Sequence, residues 1–242
     1  MAFDSEKLRN WGYEVVKCQP SHGFLKLREY ILSNINEALS DLSISYSDWD
    51  DFLARYATNA DCHQKLSTKT ARLLNKDQVE QVNEFEFMNS IKEIIGEFNI
   101  SDEEAIGYPE IYWRVVRPLQ KEDVGPLHAD SWFWELNPEW MDNNKTVKRT
   151  KVWIPLQCEE GKNGLLVKDR SHRNNEYKYA PILKDKKYKP IIINAPAIEE
   201  MTLLSPSIGN YVIFNDNLIH GGAKNLGKFP RVSLEFTCLT RI

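Results

Sequence analysis

The pattern that most limits the fold lies after Tyr108, where short β-branched and aromatic runs follow one another between turn residues. They are "EIYWRVVR" (110–117), "TKVWIPLQ" (150–157), "GLLVKD" (164–169), "KPIIIN" (189–194), "NYVIFN" (210–215) and "RVSLEFTCL" (231–239). Many short strands set off by Gly, Asn and Pro predict an all-β sandwich or barrel. "KNG" (162–164) and "NDN" (215–217) are turn signals between such runs.

Residues from about 24 to 106 have a different texture. "FLKLREYILSNINEALSDL" sets Phe24, Leu25, Leu27, Ile31, Ile35 and Leu39 on one broad helical face. "SYSDWDDFLARYA" opens with Ser and Asp, residues that suit a helix N-terminus. "DQVEQVNEFEFMNSIKEIIGEF" carries Val79, Val82, Phe85, Ile91 and Ile94 at helical spacing and predicts a helix ending near Gly96. No repeat or Pro/Gly-rich linker separates the two portions. The fold class expected is mainly β with helices (α+β), as one domain over 1–242: largely helical support over about 1–106, and a β-core over about 107–242 that carries the chemistry.

Composition narrows the partners. The chain has 242 residues, 42% hydrophobic and 27% charged, enough for one large domain with a buried core. A net charge of −4 with interspersed signs does not favour nucleic acid, which draws a basic excess. The basic runs "NKTVKRTK" (144–151) and "KDKKYK" (184–189) read as solvated faces or loops. No apolar run is long enough to span a bilayer, and the N-terminus lacks the apolar stretch of a secretory signal. Cys18, Cys62, Cys158 and Cys238 are far apart without a CxxC. Free thiols in a reducing cytoplasm are the simplest reading.

Against this background "GPLHADSWFWEL" (125–136) places His128 and Asp130 at i and i+2, on one face if the segment is a strand. Alone the pair is weak evidence, since His-x-Asp occurs by chance. A second histidine, His220, precedes two glycines in "NLIHGGAKNLGKFPRVSLEF" (217–236), and Arg231 follows eleven residues later. Two imidazoles and one carboxylate suit a mononuclear Fe(II) that must keep open positions, whereas structural zinc more often recruits cysteine. Arg231 offers a guanidinium fork for a carboxylate, and Ser233 shares its face two residues on.

These pieces together resemble the phytanoyl-CoA dioxygenase-like branch of the Fe(II)/2-oxoglutarate dioxygenases. "PLHAD", then "VWIPLQCEEGKNGLLVKDRSH" (152–172), then "NLIHGGAKNLGKFPR" stand in the family's order, and the resemblance covers roughly residues 108 to 240. It implies a double-stranded β-helix (jelly-roll) core, with His128, Asp130 and His220 as both metal ligands and catalytic centre, and Arg231 on the distal carboxylate of 2-oxoglutarate. It also implies Fe(II), 2-oxoglutarate and O₂ as cofactor and co-substrates, with succinate and CO₂ released and hydroxylation of a small or medium-sized organic molecule as the usual outcome. Related halogenases have a small residue where Asp130 stands, so halogenation is disfavoured.

Other positions are open at this level. Some relatives carry a hydroxyl residue where Gly222 stands, and Ser233 is a candidate to replace it. In "IYWRVV" alternation allows either Tyr112 and Arg114 or Trp113 and Val115 to face inward. Arg114 is the chemically apt group for the keto-acid end of 2-oxoglutarate or for an anionic substrate. Trp132, Phe133, Trp134 and Trp140 either line a substrate pocket or pack, and Glu135 is either a substrate contact or a solvated carboxylate. His172 reads as structural, His22 and His63 as surface residues, and Lys224 and Lys228 as part of a plain loop in which Asn225 fixes the turn. Two competing functions are a jelly-roll binding protein without turnover and a cupin-type metal protein without 2-oxoglutarate. The latter leaves Arg231 without a role.

Overall fold

A computed structural model of the chain describes residues 5–18, 21–58, 60–68, 70–138, 146–174, 176–184 and 187–241. Trp140, Asn144 and Lys145 of the first basic run, and Asp185 and Lys186 within the second, lie outside them. The first portion forms α1 (Glu6–Trp11), β1 (Tyr13–Val16), α2 (His22–Ala38), α3 (Trp49–Arg55), α4 (Ala60–Leu66), α5 (Lys76–Val82), α6 (Glu86–Ile95) and β2 (Asn99–Ile100). The remainder supplies β3 (Tyr112–Val116), α7 (Ser131–Leu136), β4 (Val147–Gln157), β5 (Leu165–Val167), β6 (Tyr179–Lys184), β7 (Lys187–Ile192), β8 (Thr202–Leu204), β9 (Tyr211–Asn215), β10 (His220–Gly222) and β11 (Arg231–Arg241).

The helices follow local chemistry. On α2, Phe24, Leu27, Ile31 and Ile35 are fully buried, while Leu25, one residue off that stripe, is exposed. Asp48 caps α3 by accepting from the Asp51 amide at 2.9 Å. Asn75 and Gln78 form a reciprocal capping box on α5. The stretch expected to be one helix to Gly96 is two, because Phe85 turns extended (φ −74°, ψ 144°) and its ring packs against Gly23 of α2. The break lets α5 and α6 each turn an apolar face, Val79 with Val82 and Phe87 with Ile91, into the same core.

Every strand pairing is antiparallel. The larger sheet runs β1-β9-β4-β11-β2, with β3 also on β11; the smaller runs β10-β5-β8, and β6-β7 is a separate hairpin. Two of the larger sheet's strands, β1 and β2, come from the portion read as helical. Both were too short or too polar to show alternation.

Strand β11 shows how the sheet divides labour. Val232, Leu234, Phe236 and Cys238 join the core beneath the helices. The alternate positions Arg231, Ser233, Glu235 and Thr237 point the other way, toward the smaller sheet. The same alternation settles β3: Trp113 and Val115 pack into the helical core, while Tyr112 and Arg114 line the cavity opposite.

Candidate active site

His128 and His220 lie far apart in sequence and are joined by backbone. The His128 amide donates to the His220 carbonyl at 2.9 Å and the His220 amide returns the bond at 2.8 Å. This isolated bridge sets the two rings 4.5 Å apart between centroids. Asp130 is not on a strand with His128. It has helical dihedrals (φ −65°, ψ −32°) and opens α7, which turns its carboxylate back toward both imidazoles. Asp130 Oδ1 is 3.6 Å from His128 Nε2, and Oδ2 is 3.5 Å from His220 Nε2.

The ring nitrogens are sorted by their outer contacts. His128 Nδ1 donates to the Pro126 carbonyl and His220 Nδ1 to the Leu218 carbonyl, each at 2.9 Å. Both Nε2 atoms are thereby left as lone-pair donors facing Asp130. One donor atom from each of the three residues lies within 4.8 Å of the others. Asp130 Oδ2 is buried with no hydrogen-bond partner. Burial raises the pKa of Asp130, but Lys151 and the histidines outweigh it and hold the carboxyl well below the usual range. Burial pushes His220 down to about 4, so it is neutral near pH 7. Burial also opposes protonation of His128, but Asp130 beside it prevails and raises its pKa. Anionic carboxylate, unprotonated imidazole and an orphaned oxygen are what a divalent cation would satisfy, and the hard N/O donor set fits Fe(II).

Behind this triad sits Arg231, 1% exposed. One of its terminal nitrogens donates to the Gly164 carbonyl, its guanidinium lies 5.9 Å from the Trp153 ring centroid, and Nε has no partner. No acidic residue pairs with it among the described residues. Burial, then the nearby Arg114, lowers its pKa to about 10, which still leaves it cationic at neutral pH. Gly222 makes room for it: a Cβ there would sit 3.2 Å from Arg231 Nη2. Asn225 is buried and donates to the carbonyls of Val116 and Phe229 at 2.9 and 2.8 Å, so it does fix the turn before Arg231.

Two connected spaces meet at the triad. A small inner chamber of about 70 Å³ is lined by His128, Asp130, His220, Arg231, Ser233 and Glu235. An outer cavity of about 520 Å³ shares Arg114, His128, Asp130 and Glu235 with it, and adds Arg72, Lys151, Phe133 and Trp134. Trp132 and Glu135 lie elsewhere. Trp132 stacks on Tyr179 at 4.9 Å, and exposed Glu135 accepts from the Tyr179 hydroxyl at 2.7 Å, both beside a separate surface cleft.

Lys151 is a site residue that the sequence pattern conceals. Counted among the solvated basic run, it is buried on β4, donates to Thr237 at 3.0 Å and lies 3.9 Å from Asp130 Oδ1. The signal was the alternation in "TKVWIP", which puts Lys151 on the inward face with Trp153. In the other basic run Lys184, Lys187 and Tyr188 are exposed, as a solvated face would be, and Lys187 pairs with Glu104 at 2.5 Å. His63 is not a surface residue either. Its Nε2 lies 3.0 Å from Asp123 Oδ1, its Nδ1 is 2.8 Å from the Tyr56 hydroxyl, and Asp123 in turn pairs with buried Arg117. His172 is structural, held 3.1 Å from the Arg9 carbonyl.

Residues 19–233 match the model of the phytanoyl-CoA dioxygenase (PhyH) family. The chain belongs to that family. Membership makes it a non-haem Fe(II)- and 2-oxoglutarate-dependent oxygenase, the class that the sequence resemblance implied. No curated protein matches it in sequence. Among solved structures, the apo form of the non-haem monooxygenase ThoJ is similar at TM-score 0.61 and 9% identity, over 97% of this chain and 76% of that one. EvdO2 from Micromonospora carbonacea var. aurantiaca, complexed with 2-oxoglutarate, gives 0.57 and 13%, over 98% and 91%. The 2-oxoglutarate-dependent carbocyclase SnoK from nogalamycin biosynthesis gives 0.53 and 11%, over 97% and 83%. At such identities these likenesses establish the jelly-roll fold.

Proposed function

We propose that this oxygenase is a hydroxylase of a small or medium-sized metabolite, working in the cytoplasm as one catalytic domain, with Fe(II) held by His128, Asp130 and His220. The observation that carries the assignment is the convergence of three donors within 4.8 Å, with both imidazole Nδ1 atoms already committed to backbone carbonyls. Arg231 would take the distal carboxylate of 2-oxoglutarate, with the Ser233 hydroxyl on the same face of β11. Arg114, which lines both spaces, would face either the keto-acid end of 2-oxoglutarate or an anionic substrate. Loaded with Fe(II) and 2-oxoglutarate, the site supplies O₂ activation, releasing succinate and CO₂ and delivering one oxygen atom to a C–H bond.

The chain's own contribution is binding, orientation and exclusion. The backbone bridge fixes the imidazoles, and Lys151 keeps Asp130 ionised so that it binds metal rather than a proton. Asp130 also fills the position that a halide would need, which favours hydroxylation over halogenation. Phe133 and Trp134 give the outer cavity an apolar wall against which a substrate can lie with water displaced.

The test is anaerobic addition of Fe(II) and 2-oxoglutarate. A weak visible charge-transfer band is expected, and admission of O₂ should convert 2-oxoglutarate to succinate. Absence of both overturns the assignment. A gain of one oxygen in a metabolite from a screened mixture would identify the substrate.

A further inference from the structure

The outer cavity contains more cations than the chemistry at the triad uses. Lys151 is engaged by Thr237, Glu103 and Asp130, and Glu104 by Lys187. Two guanidiniums remain. Among the described residues, neither Arg72 nor Arg114 has a carboxylate within ion-pair distance, and the single hydrogen bond of Arg72 is from Nε to the Thr68 carbonyl at 3.3 Å. Both line the outer cavity and the adjoining space of about 360 Å³ on its far side. Only Arg114 reaches the inner chamber. Arg72 is carried by the 3₁₀ turn Thr70–Arg72, which is pinned to β3 through the Leu73–Tyr112 bridge, so its position is fixed by the sheet and not by a free loop. Partial burial and the neighbouring Arg114 both lower the pKa of Arg72, outweighing Glu235, which acts the other way and whose own burial is outweighed by Arg114 and Lys151, which lower its pKa.

Unpaired guanidinium forks turned into a recess with an apolar wall are an arrangement for an oxyanion. We infer that Arg72, with Arg114 beside it, binds a carboxylate or phosphate group of the prime substrate, whose apolar part lies against Phe133 and Trp134. This rests on the proposed oxygenase site and adds to it the class of substrate: an amphipathic monoanion or dianion, with the anion at the Arg72 end and the oxidised carbon toward His128 and Asp130. Arg231 remains the co-substrate's partner, one chamber further in.

The experiment uses the whole protein with Fe(II) and excess 2-oxoglutarate, without O₂. Benzoate, phenyl phosphate and the neutral benzyl alcohol are titrated by calorimetry, while the charge-transfer band is followed in parallel. At least one of the two anions should bind about tenfold or more tightly than benzyl alcohol, and which of them does so names the oxyanion. Arg72→Ala and Arg72→Gln should each weaken the anion about tenfold or more and leave the band and 2-oxoglutarate affinity unchanged, with Arg72→Lys recovering part of the loss. Equal binding of anion and alcohol, or equal anion binding by wild type and Arg72→Gln, overturns the inference. If the band is missing but the anion still binds in an Arg72-dependent way, the anion site stands and the co-substrate assignment falls.

Discussion

The inner chamber and the outer cavity meet at His128 and Asp130 but are assembled differently. Inner-chamber residues come from segments that pair directly: β11 supplies Arg231, Ser233 and Glu235, and β10 is bridged by backbone to His128. The outer cavity draws on a 3₁₀ turn at Arg72, the loop at Glu103, α7 and the β6-β7 hairpin, which are spread over much of the chain. A constellation fixed by hydrogen-bonded register can hold donors to within the tolerance that metal chemistry needs. A cavity gathered from turns and a hairpin can change its lining without disturbing that register, which is how one fold serves many substrates.

The independence of the two spaces is most exposed at His220. His220→Ala should lower Fe(II) affinity by more than about a hundredfold and abolish the charge-transfer band, while Arg72-dependent anion binding persists. Survival of the band would separate the metal from the inner chamber. Next is Asp123→Ala, on the outer side. It strands the buried Arg117 guanidinium and removes the partner of His63, and should cost about 3–5 kcal/mol of stability in denaturant. The band at saturating iron should not move, and a lost band would show that the two regions are not separable. Smaller again is Arg231→Ala, expected to weaken 2-oxoglutarate about ten- to a hundredfold with iron binding intact. Equal loss of both would count against its role.

The same contrast governs what the sequence discloses. His128, Asp130, His220 and Arg231 are legible because the chemistry restricts residue type and the strands restrict order, so a linear pattern carries the three-dimensional one. Lys151 was hidden by its neighbours: in "KRTK" a charge run suggests solvent, and only the strand's period of two puts every second residue inside. Glu235 stands two residues past Ser233 on the face that Arg231 sets, so strand alternation reaches it, whereas Arg72 could not be found from spacing. Arg72 reaches the cavity because Leu73 bridges to Tyr112, a contact between residues with no shared local pattern. His63 was misread for a related reason, since its partner Asp123 lies sixty residues away and its helix α4 is only Ala60–Leu66. Strand β2, two residues long, has no periodicity to detect, yet it pairs with β11 through Ile100 and Cys238.

The smallest effect expected is a pH dependence confined to the outer side. His63 faces Asp123 through Nε2 and Tyr56 through Nδ1, with Arg117, Arg72 and Glu122 near enough to act on its charge. Burial lowers its pKa below the ordinary 6.5; Asp123 opposes the shift, and the two arginines add to it. The folded protein therefore takes up this proton less readily than the unfolded chain. The sign follows: His63's contribution is fully present above about pH 6.5, and falls away as pH drops through the unfolded value toward the lower folded one. Between about pH 8 and about pH 5, wild type should lose more of its urea midpoint than His63→Gln, which keeps a polar group but does not titrate there. Equal losses would mean that the acid sensitivity resides elsewhere. A larger loss in the variant would mean that the His63–Asp123 contact is strongest when His63 is charged, reversing the sign. Because the recess that His63 lines also holds Arg72 and Arg114, protonation of His63 adds positive charge beside them and should tighten anion binding there for as long as the anion keeps its own charge and the fold persists.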